Sequence, residues 1–88
     1  MTTCREKVRL ALVKLCKNHR QRFAADYPFF TAYAVAEEAE VLDTTARRYL
    51  NDLCRYRGYE RRKSGAGRGI MVGYRIDPFS ELGDKIYG

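Results

Sequence analysis

The sequence predicts one α+β domain made of three helices, a short β-segment after the first helix, and a C-terminal two-stranded β-hairpin. Three observations indicate this fold class. Apolar residues recur with helical spacing between residues 5 and 57, the spacing changes to alternation after Gly58, and 88 residues suffice for only one hydrophobic core. The composition, 45% hydrophobic and 32% charged, is ordinary for a globular domain. We expect a domain over residues 1–76 and a short tail over residues 77–88.

The first helix is predicted over residues 5–20, because apolar side chains return there at intervals of three and four residues. Leu10 and Val13 lie off this stripe, so the helix could bury a second side, either within the domain or against a partner. This second side is a weak indication of a homodimer. The main stripe consists of Cys4, Val8, Ala11, Leu12, Leu15, Cys16 and His19.

A short extended segment and a second helix follow. Residues 27–30 are aromatic and include Pro28, which suits an edge strand better than a helix. Thr31 is a suitable N-cap for a helix over residues 32–39, which is rich in alanine. Because small side chains let two helices approach closely, the sequence predicts tight packing between this helix and the next one.

The third helix is predicted over residues 45–57, after a turn at residues 41–43. Asp43 or Thr44 could cap its N-terminus, and Gly58 is a suitable residue to end it. One side is apolar and carries Ala46, Leu50, Leu53 and Cys54, with Tyr49 at its border. The opposite side is basic and rich in hydrogen-bond donors, and it carries Thr44, Arg47, Arg48, Asn51 and Arg55.

The hairpin is predicted from the alternation that follows Gly58. Its first strand covers residues 59–63, and a flexible, basic, glycine-rich loop covers residues 64–69. Apolar side chains on one face of the second strand are Ile70, Val72, Tyr74 and Ile76. The acidic tail is ambiguous, since its apolar residues could dock on the domain or on a second subunit. These residues are Phe79, Leu82, Ile86 and Tyr87.

Positive charge is concentrated in the third helix and the hairpin. The chain carries a formal charge of +6, and residues 43–75 alone contain nine basic residues against three acidic ones. Eight of those nine are arginine, which favours planar, bidentate contact with phosphate or guanine over simple solubility. The pattern is typical of a surface that attracts a polyanion, and the alternative is a solvated basic face.

Several other classes of protein and site are disfavoured. No apolar run approaches the roughly 18 residues of a membrane span, and residues 1–6 lack the core of a signal peptide, so we expect a cytoplasmic protein without membrane contact. Three cysteines without a CxxC pair argue against a disulfide scaffold and a zinc site. A thiol redox switch stays open. His19, the one histidine, suits packing better than general-base catalysis, so we expect no catalytic residue, metal or cofactor.

The order of the elements over residues 5–76 resembles that of the winged helix-turn-helix. Residues 30–50 are similar to the helix-turn-helix of prokaryotic winged-helix transcription regulators, since Ala36 stands where that family packs a small residue and Val41 stands at its buried turn position. The segment 44–50 resembles the start of its recognition helix.

Glu40 departs from that pattern, because many members of the family carry glycine at this position of the turn. Only glycine adopts a positive φ without cost, so the sequence leaves open either a left-handed residue or a different turn. The hairpin, residues 58–76, resembles the wing of the same family.

Both the chemistry and the resemblance predict contact with double-stranded DNA. A major groove admits one α-helix, whose first turns reach base edges while flanking groups hold phosphates. Arg47 and Arg48 can pair bidentately with guanine, and Asn51 can pair with adenine. The wing could follow the phosphate backbone or insert Arg68 into a minor groove. The expected DNA-binding residues are Thr44, Thr45, Arg47, Arg48, Asn51, Arg55, Arg62, Lys63 and Arg68.

The function that follows is a double-stranded DNA-binding transcription regulator, expected as a homodimer that reads two half-sites. One alternative keeps the fold without sequence specificity, as an architectural or replication-associated nucleic-acid binder. Another is a winged-helix protein-interaction module, because fold does not fix function. The glycine-rich loop does not resemble a nucleotide-binding loop, since it lacks the Lys-Ser/Thr ending and joins two strands.

Overall fold

The computed structural model describes residues 3–22, 28–64 and 71–87. For residues 19–22 and 64 it describes the backbone alone. Within these ranges the chain is an α+β domain with four helices and one three-stranded antiparallel sheet. No described helix is long and apolar enough to cross a membrane. The elements are α1 Cys4–Arg22, β1 Phe30–Thr31, α2 Ala32–Ala39, α3 Asp43–Leu53, β2 Tyr59–Ser64, β3 Met71–Ile76 and α4 Glu81–Tyr87.

The α+β class and the short β-segment after the first helix are confirmed, whereas the prediction of three helices misses α4. The strands lie in the order β1-β3-β2, so β1 is an edge strand as expected. Phe30 pairs with Tyr74 on one side of β3, and Arg61 pairs with Tyr74 on the other. This arrangement is compatible with a winged helix.

The core lies between the first three helices and one face of the sheet. Its apolar residues come from the stripes that the periodicity predicted, although Cys4 is exposed and Leu10 is 47% exposed. Each large side chain that is fully buried contributes about 1.5–3 kcal/mol to folding relative to an exposed one. The largest buried side chains are Tyr74, Leu12, Leu50, Ile76, Val8, Val35 and Cys16.

Helices α2 and α3 meet through small side chains and a tight turn. Thr31 caps α2, because its hydroxyl oxygen accepts a hydrogen bond of 3.1 Å from the backbone N–H of Ala34. Ala36 and Ala46 are buried, which lets the two helices approach closely. The start and end of α2 agree with the prediction residue for residue.

Glu40 ends α2 in the left-handed conformation, with φ 58° and ψ 45°. The sequence left two kinds of turn open, and the left-handed one is observed. This conformation costs a residue with a Cβ atom about 1–2 kcal/mol. The turn offsets part of that cost, because the backbone N–H groups of Glu40 and Val41 both reach the carbonyl of Ala36, the latter at 3.0 Å.

Helix α3 ends at Leu53, four residues before the predicted end at residue 57. The chain continues in a tighter turn, in which the N–H of Arg55 donates to the carbonyl of Asp52 at 3.1 Å. Gly58 then takes a φ of 98°, and a Cβ atom there would lie 2.9 Å from the Cβ of Leu82. Glycine is therefore required both by the backbone and by α4, which packs against this turn.

Helix α4 begins with a polar cap. The Ser80 hydroxyl donates to the carbonyl of Asp77 at 2.7 Å and accepts from the N–H of Gly83 at 3.0 Å. At the other end the Tyr87 hydroxyl donates to the carbonyl of Ile76 at 2.7 Å, and burial raises the pKa of Tyr87. The apolar residues of α4 pack against the core and α1, so the tail docks on its own domain. Phe79, by contrast, is 90% exposed.

Candidate nucleic-acid interface

Helix α3 presents arginines to solvent because the core takes its apolar side. Ala46 and Leu50 are fully buried, and neighbouring residues turn away from them by about 100° per position. Arg47 and Arg48 are exposed, and neither forms an ion pair with any acidic residue in the described part of the chain. Their guanidinium groups are available for a ligand outside the domain.

The first turn of α3 differs from the predicted capping. Leu42 is the N-cap and provides no side-chain hydrogen bond, so neither Asp43 nor Thr44 caps the helix. The Asp43 carboxylate instead accepts from the N–H of Thr44 at 2.9 Å, because both residues already lie inside the helix. The free N–H groups at a helix N-terminus can bind phosphate, and the N–H of Thr44 is thus already occupied by an acid. Thr44 is exposed and Thr45 half-buried, and their contact with phosphate stays a prediction.

Asn51 lies between α3 and the sheet rather than projecting freely. Its Oδ1 accepts from the Tyr74 hydroxyl at 2.8 Å and from the Arg61 guanidinium at 3.1 Å. Reading adenine bidentately requires both the oxygen and the amide of asparagine. The oxygen already has two donors, so base reading by Asn51 would require at least one of these bonds to open.

The pairing of β2 with β3 decides which way each basic residue of the hairpin points. Arg61 pairs with Tyr74, and Lys63 pairs with Val72. Because residues directly opposite each other in a sheet share a face, Arg61 and Lys63 lie on the face that contains the buried Tyr74 ring. Arg62 pairs with Gly73 and lies on the opposite face.

The positive charges on the outer face of the hairpin have partners within that face. We define the outer face as Phe29, Glu60, Arg62, Gly73 and Arg75. Arg75 forms an ion pair with Glu60 at 2.9 Å and lies over the Phe29 ring, 4.2 Å from its centre. Arg62 lies over the same ring at 5.8 Å. Phe29 itself rests on Gly73, where a Cβ atom would lie only 2.5 Å from the Phe29 Cβ. The cations on this face already have an acid or an aromatic ring as a partner.

A second surface, which we call the inner surface, joins α3 to the hairpin. It consists of Arg47, Arg48, Asn51, Arg61 and Lys63. Arg47 lines an open groove with Val72 and Tyr74, so α3 and β3 border one continuous surface. No cation of the inner surface forms an ion pair within the described residues.

The two acidic residues that adjoin this surface in sequence, Asp52 and Glu60, are paired elsewhere, Glu60 with Arg75 of the outer face. Asp52 lies beside Asn51 on α3, and its carboxylate forms an ion pair of 3.3 Å with Arg5 of α1. The Arg5 guanidinium also lies over the Tyr56 ring, 5.5 Å from its centre. Asp52 is therefore paired with a cation of α1 and not with one of the inner surface.

The outcome differs for two further predicted site residues. Arg55 is exposed and belongs to the turn after α3, because the helix ends earlier than predicted, and it lines an open groove with Arg48 and Asn51. Arg68 and the tip of the hairpin lie outside the described residues, and the contact of Arg68 with a minor groove stays a prediction.

Arg61 is the residue of the inner surface that the sequence interpretation missed. The signal was present, since alternation along β2 puts Arg61 and Lys63 on one face and Arg62 on the other. What the sequence lacked was the register that sets Arg61 opposite Tyr74.

The described residues contain no group of three or more histidine, cysteine, aspartate or glutamate side chains arranged to hold a metal ion. All three cysteines are free, and burial raises the pKa of the Cys16 and Cys54 thiols. Thiols of raised pKa are poor nucleophiles at neutral pH. Cys4 is exposed, and the side chain of His19 lies outside the described part of the structure.

Comparison with known proteins gives no relative. No protein-family model, no curated protein and no solved structure matches the chain.

Proposed function

We propose that the chain is a winged helix-turn-helix protein that binds double-stranded DNA, with α3 in the major groove and the hairpin along the phosphate backbone or in the minor groove. The supporting observation is the inner surface, where four cations on a helix and an adjacent strand have no acidic partner among the described residues. Uncompensated, exposed cations in a row attract a polyanion and bind it by displacing its counterions.

The arrangement suits duplex DNA better than a compact anion. An α-helix is about as wide as the major groove, and a hairpin beside it can reach the flanking backbone. Arg47 and Arg48 are the exposed residues on α3 that could pair with guanine, and Lys63 is placed for phosphate. Sequence-specific regulation of transcription is the form of DNA binding that we propose first.

A homodimer and a cytoplasmic location belong to the same proposal. Two copies would read two half-sites about one helical turn apart, and Leu10 of α1 is an exposed apolar residue available for contact between them. Duplex DNA and reduced thiols occur together in the cytoplasm of prokaryotes, and the three cysteines are free.

Sequence-nonspecific DNA binding is the second candidate, and one observation favours it. The Asn51 oxygen is already occupied by Tyr74 and Arg61, which reduces the exposed base-reading groups on α3 to two arginines. Arginine binds phosphate as readily as it binds guanine. Selecting bound fragments from a random duplex library separates the two candidates, because a regulator enriches a motif and a nonspecific binder does not.

The binding proposal itself is tested by an electrophoretic shift with random duplex at low salt. We expect a shifted complex whose affinity falls steeply as salt rises, since each neutralised phosphate contributes about 0.9 to the slope of log affinity against log salt. Absence of any salt-dependent binding to duplex would refute the proposal.

A further inference from the structure

We propose that Arg61 is a contact to the DNA backbone and that Asn51 is the positioning residue that holds it beside α3. This inference rests on the proposed function and assigns Asn51 a role different from reading a base. It is carried by the cluster in which Arg61 and Tyr74 both donate to the side-chain oxygen of Asn51.

The geometry fixes how the Asn51 amide is oriented. A guanidinium group can only donate hydrogen bonds, so the atom 3.1 Å from Arg61 must be the oxygen of Asn51. That oxygen has two lone pairs, and the Tyr74 hydroxyl takes the second at 2.8 Å. The Tyr74 ring is 1% exposed and cannot move without disturbing the core, so it holds Asn51 in place.

Tyr74 borders both Arg61 of β2 and Arg47 of α3. Arg61 donates to the same Asn51 oxygen as the Tyr74 hydroxyl, and Arg47 lines one groove with Tyr74. Burial raises the pKa of Tyr74, and the positive charges of Arg61 and Arg47 act in the opposite direction. No carboxylate in the described part of the chain pairs with either guanidinium group.

Arg61 keeps most of its donor capacity for a ligand. One N–H of its guanidinium donates to Asn51, and the group has five such donors in all. The residue is exposed. An arginine side chain that is already held loses less conformational entropy when it binds phosphate, so the bond to Asn51 raises affinity without itself touching DNA.

The first measurement compares the salt dependence of duplex affinity in Arg61→Gln with that in Arg57→Gln. The control removes the same charge from an exposed residue in the turn before β2, away from the inner surface. If Arg61 contacts a phosphate, its variant loses about 0.9 from the slope, while the control keeps the slope of the parent protein. A folded fraction that is constant across the salt range leaves the slope unchanged, and circular dichroism of each variant at both ends of that range verifies this.

The second measurement is a double-mutant cycle with Asn51→Ala. Because Asn51 acts through Arg61, its substitution lowers affinity severalfold in the parent protein and changes it less than twofold in the Arg61→Gln background. In selection from a random duplex library, the loss of affinity in Asn51→Ala is spread over all base positions of the bound fragments. Should Asn51→Ala prevent folding, Tyr74→Phe removes one of the two donors to Asn51 and enters the same cycle.

The results distinguish a failure of the roles proposed for Arg61 and Asn51 from a failure of the proposed DNA binding. An unchanged slope for Arg61→Gln overturns the backbone contact. A loss for Asn51→Ala that is equal in both backgrounds, or that is confined to one base pair, overturns the positioning role and restores Asn51 as a reader of sequence. If the parent protein shows no salt-dependent binding to duplex, the proposed function fails together with this inference.

Discussion

The inner surface and the outer face of the hairpin carry similar cations in different surroundings. On the outer face, Arg75 pairs with Glu60, and both Arg62 and Arg75 lie over the Phe29 ring. On the inner surface, Arg61 donates to a neutral amide, and Lys63 has no acidic partner among the described residues. Adjacent residues of one strand therefore differ in whether their charge is already compensated.

This difference teaches that the net charge of a segment is a poor guide to its ligand. Residues 43–75 carry nine basic residues, but some of them pack the hairpin against Phe29 and are satisfied within the fold. An arginine over an aromatic ring contributes about 0.5–1 kcal/mol to stability at an exposed site. We expect the outer face to serve stability and the inner surface to serve binding.

The largest effect should come from the helix side of the inner surface. Replacing Arg47 and Arg48 together with glutamine should lower duplex affinity at least about thirtyfold, because each bidentate contact is worth about 1–3 kcal/mol. The measurement is a titration of labelled duplex at fixed salt. A control with the same loss of charge is Arg57→Gln combined with Lys85→Gln, both exposed and away from this surface. Equal losses in the two double variants would show that only net charge matters.

On the outer face, Gly73→Val should lower stability by about 1–3 kcal/mol, since overpacking costs that much in a filled site. Its Cβ would lie 2.5 Å from the Cβ of Phe29. Urea unfolding measures the loss, and adding Phe29→Gly should recover part of it, because glycine lacks the Cβ atom that the new valine side chain would meet. The salt slope of duplex affinity should stay that of the parent protein. A changed slope would mean that the outer face also meets DNA.

The elements that the sequence predicted well are those whose signals are local. Thr31 supplies the N-cap of α2, so the predicted and observed helices coincide over residues 32–39. The alternation of β3 likewise predicted that Tyr74 and Ile76 would be buried together. In both cases the signal is local: a capping residue directly before the helix, and the side-chain period of the strand.

The end of α3 and the presence of α4 depend on contacts distant in sequence. Gly58 ends the turn after α3 against Leu82, and nothing within residues 45–57 reveals that contact. Helix α4 has only seven residues, and helices this short are not stable alone in water. It is held by the Tyr87 bond to Ile76 and by packing on α1.

The candidate site residues likewise divide into those that local signals predict and those that depend on contacts distant in sequence. Helical spacing alone placed Arg47 and Arg48 on the exposed side of α3. The position of Asn51 between α3 and the sheet requires the register that sets Arg61 opposite Tyr74, and strand register is not encoded in either strand separately. For this reason the sequence suggested Asn51 as a base reader and overlooked Arg61.

A smaller effect should distinguish Arg62 from Lys63, which are adjacent in β2 and carry the same charge. Lys63→Gln should lower the salt slope by about 0.9, so that raising salt from about 50 to about 200 mM costs the variant roughly threefold less affinity than it costs the parent protein. Arg62→Gln should change the slope less, because Arg62 lies on the outer face over Phe29. Each variant is the control for the other, since they differ mainly in the direction of the side chain. The opposite ranking would place the DNA on the outer face.

The smallest effect, and the most direct check on charge compensation, should come from Glu60→Gln. The ion pair of Glu60 with Arg75 is partly exposed, with 39% and 17% of the two side chains accessible, and such pairs contribute about 0–1 kcal/mol to stability. Thermal unfolding should therefore change little. Releasing the Arg75 charge should also leave the salt slope unchanged, as should the exposed control Glu81→Gln. A slope that increases by about 0.9 in Glu60→Gln alone would show that Arg75 reaches a phosphate once it is freed, and the two faces would then differ only in their internal partners.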